Sequence, residues 1–215
     1  MDDREPAWLL TPTSVRWIGT SVALAVVVFA ATALALQWVR VDLDWVRNTL
    51  SAYLTGPHGA WLKAAYFLLS CALVLLGLGY HGAVAAPARS RVPALLFAVA
   101  GVALTITALA DKSSHGDRSG SRLEGMVHNA AAALTFLAVT VAMLVQSWQL
   151  RRDDTWRHRF AALFSLAVAC FAGLWIFVFW HAAPRGLAQK LLIAAILAWL
   201  ALAAWWLRVR SQAST

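Results

Sequence analysis

The chain has 215 residues, 61% of them hydrophobic and only 13% charged, with 12 Trp and a formal net charge of +8. Soluble domains run near 45–50% apolar and about 25% charged, so an ordinary cytosolic fold is excluded, and the same figures exclude disorder. The only two cysteines, Cys71 and Cys170, lie inside apolar runs and leave no disulfide framework. The class that remains is a polytopic membrane protein.

A bilayer-spanning helix needs about 20 mostly apolar residues, because hydrocarbon tolerates no unpaired backbone group. Six stretches meet that need: 15–39, 60–82, 92–110, 126–148, 160–181 and 188–207. The runs are long and do not alternate, which excludes an outer-membrane barrel. The first run carries Ala31, Ala33 and Ala35, as a signal peptide would. It outlasts the 7–15 apolar residues of a signal h-region and follows acidic residues, so it is read as a mature helix. The fold class expected is all-α, a six-helix transmembrane bundle over residues 15–208. A cytoplasmic segment 1–14 precedes it and a cytoplasmic tail 209–215 follows.

Orientation comes from Lys and Arg near the helix ends. With the N-terminus inside, ten such residues are inner and eight outer, and four of the inner ones crowd the 149–159 loop. Both termini are therefore expected in the cytoplasm, in the cell (inner) membrane. The basic residues are divided among seven segments on two sides of a membrane, so nucleic acid is not the expected partner. Membrane lipids, anionic headgroups included, are. Trp8, Trp17, Trp38, Trp45, Trp61, Trp148, Trp156, Trp180 and Trp206 fall near span ends, where indole rings settle at headgroup level.

The span interiors hold no ionisable residue, which argues against a proton-coupled transporter, an ion pump or a cation channel. Polar residues gather instead in three loops on the expected outer face. In the first, Asp44 is a candidate N-cap, and Trp45, Thr49 and Tyr53 repeat at helical spacing before Gly56-Pro57. A short interfacial helix is expected there. The second loop, 111–125, is rich in Ser and Gly and leads from Asp111 to His128. The third is the tight run from His181 to Gly186.

These loops assemble Asn48, Ser51, Tyr53, His58, Asp111, His115, His128, His181 and Arg185 on one side. Ser, Asp and His are the residue types of a nucleophile, an orienting acid and a base, which makes Ser51, Asp111 and His128 the candidate catalytic set. Asn48, Tyr53, His181, Arg185 and Lys190 are the candidate ligand contacts. No cofactor is expected, although Asp111, His128 and His181 are the set that would hold zinc. The plain alternative is polar loops that solvate the helix ends, with His128 and His181 capping carbonyls and Ser51 bonding its own backbone. No G-x-S-x-G elbow and no H-E-x-x-H or H-x-x-x-H spacing occurs. Heme between His81 and His158 at one face and His128 and His181 at the other is disfavoured. His158 and His181 are 23 residues apart, about 34 Å on one helix, which leaves both porphyrins at the membrane edges. Gly77, Gly79, Gly101, Ala130–Ala133 and Gly173 are packing residues, and the mid-span hydroxyls Ser70, Thr105, Thr107, Thr135, Thr140 and Ser165 are expected to bond the preceding turn or a neighbouring helix. Cys71 and Cys170 are expected to be buried.

The sequence resembles the integral membrane proteins of domain-of-unknown-function family 998, over residues 15–208. The carrying residues are Asn48-Thr-Leu-Ser51-Ala-Tyr53 with Gly56-Pro57, Gly101 with Ala108-Leu-Ala-Asp111, Gly125-Met-Val-His128, and Gly186-Leu-Ala-Gln-Lys190. The family often has a Phe-Pro-x-Asp-like turn after the third helix. Here Ala110-Asp111-Lys112 stands instead, so Asp111 or Asp117 corresponds to the family's acid. More distantly the chain is similar to the Frag1/DRAM/Sfk1 group of six-helix proteins, implicated in lipid remodelling and transbilayer asymmetry. It lacks the paired zinc motifs of the alkaline-ceramidase-like hydrolases. Two functions are therefore expected, in this order: binding or organisation of lipid or another apolar ligand at the outer leaflet, and a lipid-directed hydrolase or transferase on the Ser/Asp/His set.

Overall fold

The computed structural model describes residues 10–85, 88–110, 120–180 and 182–210. Six helices account for the expected spans: α1 (Pro12–Val39), α2 (Gly59–Ala83), α3 (Val92–Leu109), α4 (Gly120–Leu150), α5 (Phe160–Phe179) and α6 (Arg185–Arg210). Each contains a segment long and apolar enough to cross a membrane, and no strand occurs among the described residues. The chain is an all-α, multi-pass integral membrane protein.

Several ends are set by local chemistry. Thr11 caps α1, its hydroxyl accepting from the Ser14 amide at 3.2 Å, and Pro12 supplies a first residue that needs no amide partner. At α4 the helix starts six residues before Met126, the expected boundary. That extension matters: His128 lies two turns inside α4 and is only 3% exposed, so this ionisable side chain is buried within a span-forming helix.

The helices form a ring. Each packs on its neighbours in chain order, and α6 returns to α1. Small residues set the closest approaches, as hydrocarbon surroundings favour. Gly101 of α3 sits on the Ser70 carbonyl of α2, and Gly19 of α1 sits on the α6 backbone at Ala204 and Arg208. That last contact places the start of α1 and the end of α6 at one end of the bundle. The buried hydroxyls of Ser70, Thr107, Thr135 and Thr140 each donate to the carbonyl four residues earlier. Cys170 is buried, but Cys71 faces outward on α2, contrary to expectation, because it falls between the buried stripes of that helix.

At the end of the bundle where α1 starts and α6 ends, the ring is filled. The Tyr80 hydroxyl of α2 donates across the ring to the Ala203 carbonyl of α6 at 3.0 Å. Tyr80 packs on Trp156 at 5.3 Å, and Phe97 on Trp199 at 6.0 Å between centroids. Trp156 is 0% exposed, so it is a core residue and not the headgroup-level tryptophan its position suggests. The cause is Asp153. Its carboxylate accepts from the Ala85 and Thr155 amides, both at 2.9 Å, and turns the 151–159 loop back under the bundle. Trp17, Trp38, Trp45, Trp61, Trp148 and Trp180 are exposed, as a membrane-interface role requires. Trp8 lies outside the described residues.

At the opposite end the first loop is folded and tied down. Arg40, 6% exposed, grips the Asp42 carboxylate with Nε and Nη2 at 2.8 and 2.7 Å. Its Nη1 donates to the Thr55 and Pro57 carbonyls at 2.7 and 3.3 Å. The Arg40 hydrogen bonds hold the Asp42 carboxyl below the usual carboxylate range. Gly56 turns beside the guanidinium with φ +77°. The expected short helix is present in reduced form. Asp44 caps only a turn, accepting from the Val46 and Arg47 amides at 2.8 and 3.2 Å. Extended backbone at Thr49 then separates this turn from a 3-10 helix at Leu50–Leu54. Leu50, Tyr53 and Leu54 of that helix are buried against α2 and α6.

Candidate functional site

Between the filled half and the first loop, the ring encloses a cavity of about 600 Å³ that receives side chains from all six helices. Its body is apolar: Phe29 of α1, Leu69 and Leu73 of α2, Leu104 of α3, and Ile193, Ile196, Leu197 and Leu200 of α6. Ala132 and Ala133 of α4 make room for it. At the loop end the lining turns polar, with Thr49, Ser51, His128, Asn129, Arg185 and Gln189. On α6 the pattern is helical: 185, 189, 193, 196, 197 and 200 share one face, polar in its first two turns and apolar below.

The cavity also meets the flank of the bundle. Most of its wall is buried, but Leu137 of α4 and Trp175 and Val178 of α5 are 43%, 42% and 39% exposed. Ala133 is exposed as well. Counted from the shared end, back from Leu150 and forward from Phe160, Leu137 and Trp175 lie 13 and 15 residues along. Ala133 and Val178 lie 17 and 18 residues along, so both pairs are level, at about 20 and 26 Å. An α4–α5 seam at the depth of the cavity therefore faces the hydrocarbon.

The rim is positioned by the junction of the first loop with α6. The Leu187 amide donates to the Val46 carbonyl, and the Leu50 amide to Gln189 Oε1, each at 2.8 Å. Lys190 Nζ donates to the Trp45 and Asn48 carbonyls at 2.5 and 2.9 Å. This junction needs glycine at 186, since a Cβ there would overlap the backbone of Val46, Arg47 and Asn48. Arg185, exposed at the rim, lays its guanidinium 4.8 Å from the Phe177 ring centroid.

The structure thus divides the candidate residues. Ser51, His128 and Arg185 line one cavity. The Ser51 hydroxyl is bonded to Thr49 Oγ1 at 3.0 Å. His128 Nδ1 lies 3.0 Å from the Ala110 carbonyl, which can only accept, so that nitrogen carries a proton. Asn48, Tyr53 and Lys190 belong to the junction instead. The Asn48 side chain accepts from the Asp44 amide at 2.8 Å, and Lys190 sits over the Tyr53 ring at 5.2 Å. Burial pushes the Tyr53 phenol up, and its hydroxyl has no hydrogen-bond partner among the described residues. His58 stacks on Trp61 at 4.8 Å. Asp111, His115, Asp117 and His181 lie outside the described residues, so the zinc set has only His128 within them. Among the described residues no three His, Cys, Asp or Glu side chains gather as a metal site.

Sequence reasoning left Thr49, Asn129 and Gln189 out of the candidate site. Gln189 had a readable signal: a polar residue one turn after Arg185, on the face that continues as Ile193 and Leu197. Thr49 and Asn129 had none, because only the fold brings the first loop over the start of α4.

The model of a protein family described as "Protein of unknown function (DUF998)" matches residues 23–206. No curated protein and no solved structure matches the chain.

Proposed function

The chain belongs to the DUF998 family, and we propose that it binds a lipid or similar amphiphile in the cavity of its helix ring. The observation that carries this reading is the polarity of one continuous cavity. Apolar side chains line about 600 Å³, and a rim of amide, hydroxyl, imidazole and guanidinium groups closes one end. A tail in the body and a head at the rim satisfy both regions at once, as ligand pockets with few convergent polar groups do. The α4–α5 seam gives a bilayer tail a route that never crosses water. With the termini in the cytoplasm, as the Arg-rich 149–159 loop argues, the rim lies in the outer leaflet. A photoreactive-tail lipid in proteoliposomes tests this. Adducts are expected on Ile193, Leu197, Leu137 and Trp175. Adducts confined to outward-facing residues such as Leu24 and Leu95 would overturn it.

A second reading has its own observation: Ser51 and His128 line the same cavity. A lipid-directed hydrolase or transferase would use the Ser51 hydroxyl as nucleophile and His128 as base. The hydroxyl's bond to Thr49 Oγ1 favours binding over catalysis, whereas the His128 Nδ1 bond to Ala110 is compatible with either role. Release of fatty acid from an ester-linked lysolipid, abolished by Ser51→Ala, would reverse that preference.

A further inference from the structure

The lining also limits the shape and charge of the occupant, given the cavity reading above. Along α6 it runs from Arg185 to Leu200, 15 residues or about 22 Å. A lining of that length takes an extended acyl chain with its head at the rim.

The head is limited by charge. Arg185 is the one Lys or Arg among the described lining residues, and no Asp or Glu is among them. Lys190 is held by the Trp45 and Asn48 carbonyls. Gln189 Oε1 is taken by the Leu50 amide, which leaves its nitrogen as the group it presents. The rim therefore offers a guanidinium, amide nitrogens and hydroxyls. A zwitterionic head would bring a second cation with no carboxylate among the described lining residues to meet it, and a neutral head would leave Arg185, the one cation of that lining, without a use. In a bilayer the tail is already in apolar surroundings, so moving it into the cavity contributes little. Selection falls to the head.

We propose that the cavity holds an anionic amphiphile. Its carboxylate or phosphate meets Arg185 and Gln189, and its chain runs toward Leu200. The test is equilibrium binding of labelled palmitate to the full chain in phosphatidylcholine nanodiscs. The competitors are lysophosphatidylglycerol and hexadecanol. Saturable binding of palmitate is expected, with hexadecanol at least about tenfold weaker, the weight of one charge-assisted hydrogen bond. The better of palmitate and lysophosphatidylglycerol identifies carboxylate or phosphate. Arg185→Gln is expected to bring palmitate to the level of hexadecanol, and Arg185→Lys to retain most of the preference. Should hexadecanol compete as well as palmitate, the charge assignment is overturned while the cavity reading stands. Absence of saturable binding by every probe overturns both readings together.

Discussion

Gly186 is where the site and the fold depend on one atom. Substituting alanine adds a Cβ that meets the backbone of Val46, Arg47 and Asn48 closer than real Cβ atoms come. Backbone cannot rotate away as a side chain tip can, so the first loop and α6 must separate. Four hydrogen bonds cross this junction: Leu187 to Val46, Leu50 to Gln189, and Lys190 to both Trp45 and Asn48. At about 0.5–1.5 kcal/mol net each, losing half of them costs about 1–3 kcal/mol, and overpacking costs about 1–3 more. Gly186→Ala is therefore expected to destabilise by about 2–6 kcal/mol, a fall in Tm of roughly 4–24 °C for a chain of this size. Because Thr49 and Ser51 lie on one side of the junction and Arg185 and Gln189 on the other, ligand binding should weaken with it. Gly173→Ala is the control, its added Cβ meeting only Leu192 Cδ1 at 3.5 Å. Thermal unfolding in detergent, with hydrogen exchange across residues 44–55, reads both effects. A Gly186→Ala protein that melts with the wild type and binds normally would refute the junction as the element that shapes the rim.

Other perturbations test separate parts. Asp153→Ala leaves the Ala85 and Thr155 amides without their acceptor, and a cost of about 2–4 kcal/mol is expected in thermal unfolding, with Trp156 moving toward solvent by fluorescence. Tyr80→Phe removes the bond to Ala203 across the ring, for about 1 kcal/mol by the same measurement. The Arg40–Asp42 pair predicts a pH effect. The folded-state pKa of Asp42 is depressed, so its contribution is present above the unfolded value near 3.9 and is lost as pH falls through the lower folded value. Hydrogen exchange at residues 55–58 should accelerate over that acidic window, and Asp42→Asn should remove the pH dependence.

The six helices were legible because span length is dictated by the bilayer, and the ring adds nothing to that pattern. The packing roles of Gly77 and Gly101 were readable for the same reason. Trp156 was misplaced because a tryptophan near a span end reads as interfacial, and only the Asp153 turn carries it into the core. His128 was assigned to a helix end because hydropathy stops at Met126, whereas α4 continues through polar residues to Gly120. Within the site, Ser51, His128 and Arg185 shared a predicted face and do share a cavity. Lys190 and Asn48 shared that face too, yet form the junction beside it. A topological argument puts residues at one end of a bundle; it does not say whether they point inward or clasp a neighbouring loop.

The central claim, that the cavity holds one lipid, is tested most directly by counting. Ala132 lines the cavity one turn below His128, and a tryptophan there would occupy the channel beneath the rim. Native mass spectrometry of protein purified from membranes should show one bound lipid on the wild type and none on Ala132→Trp. Equal occupancy of both proteins, or a wild type that carries no lipid, would contradict the account.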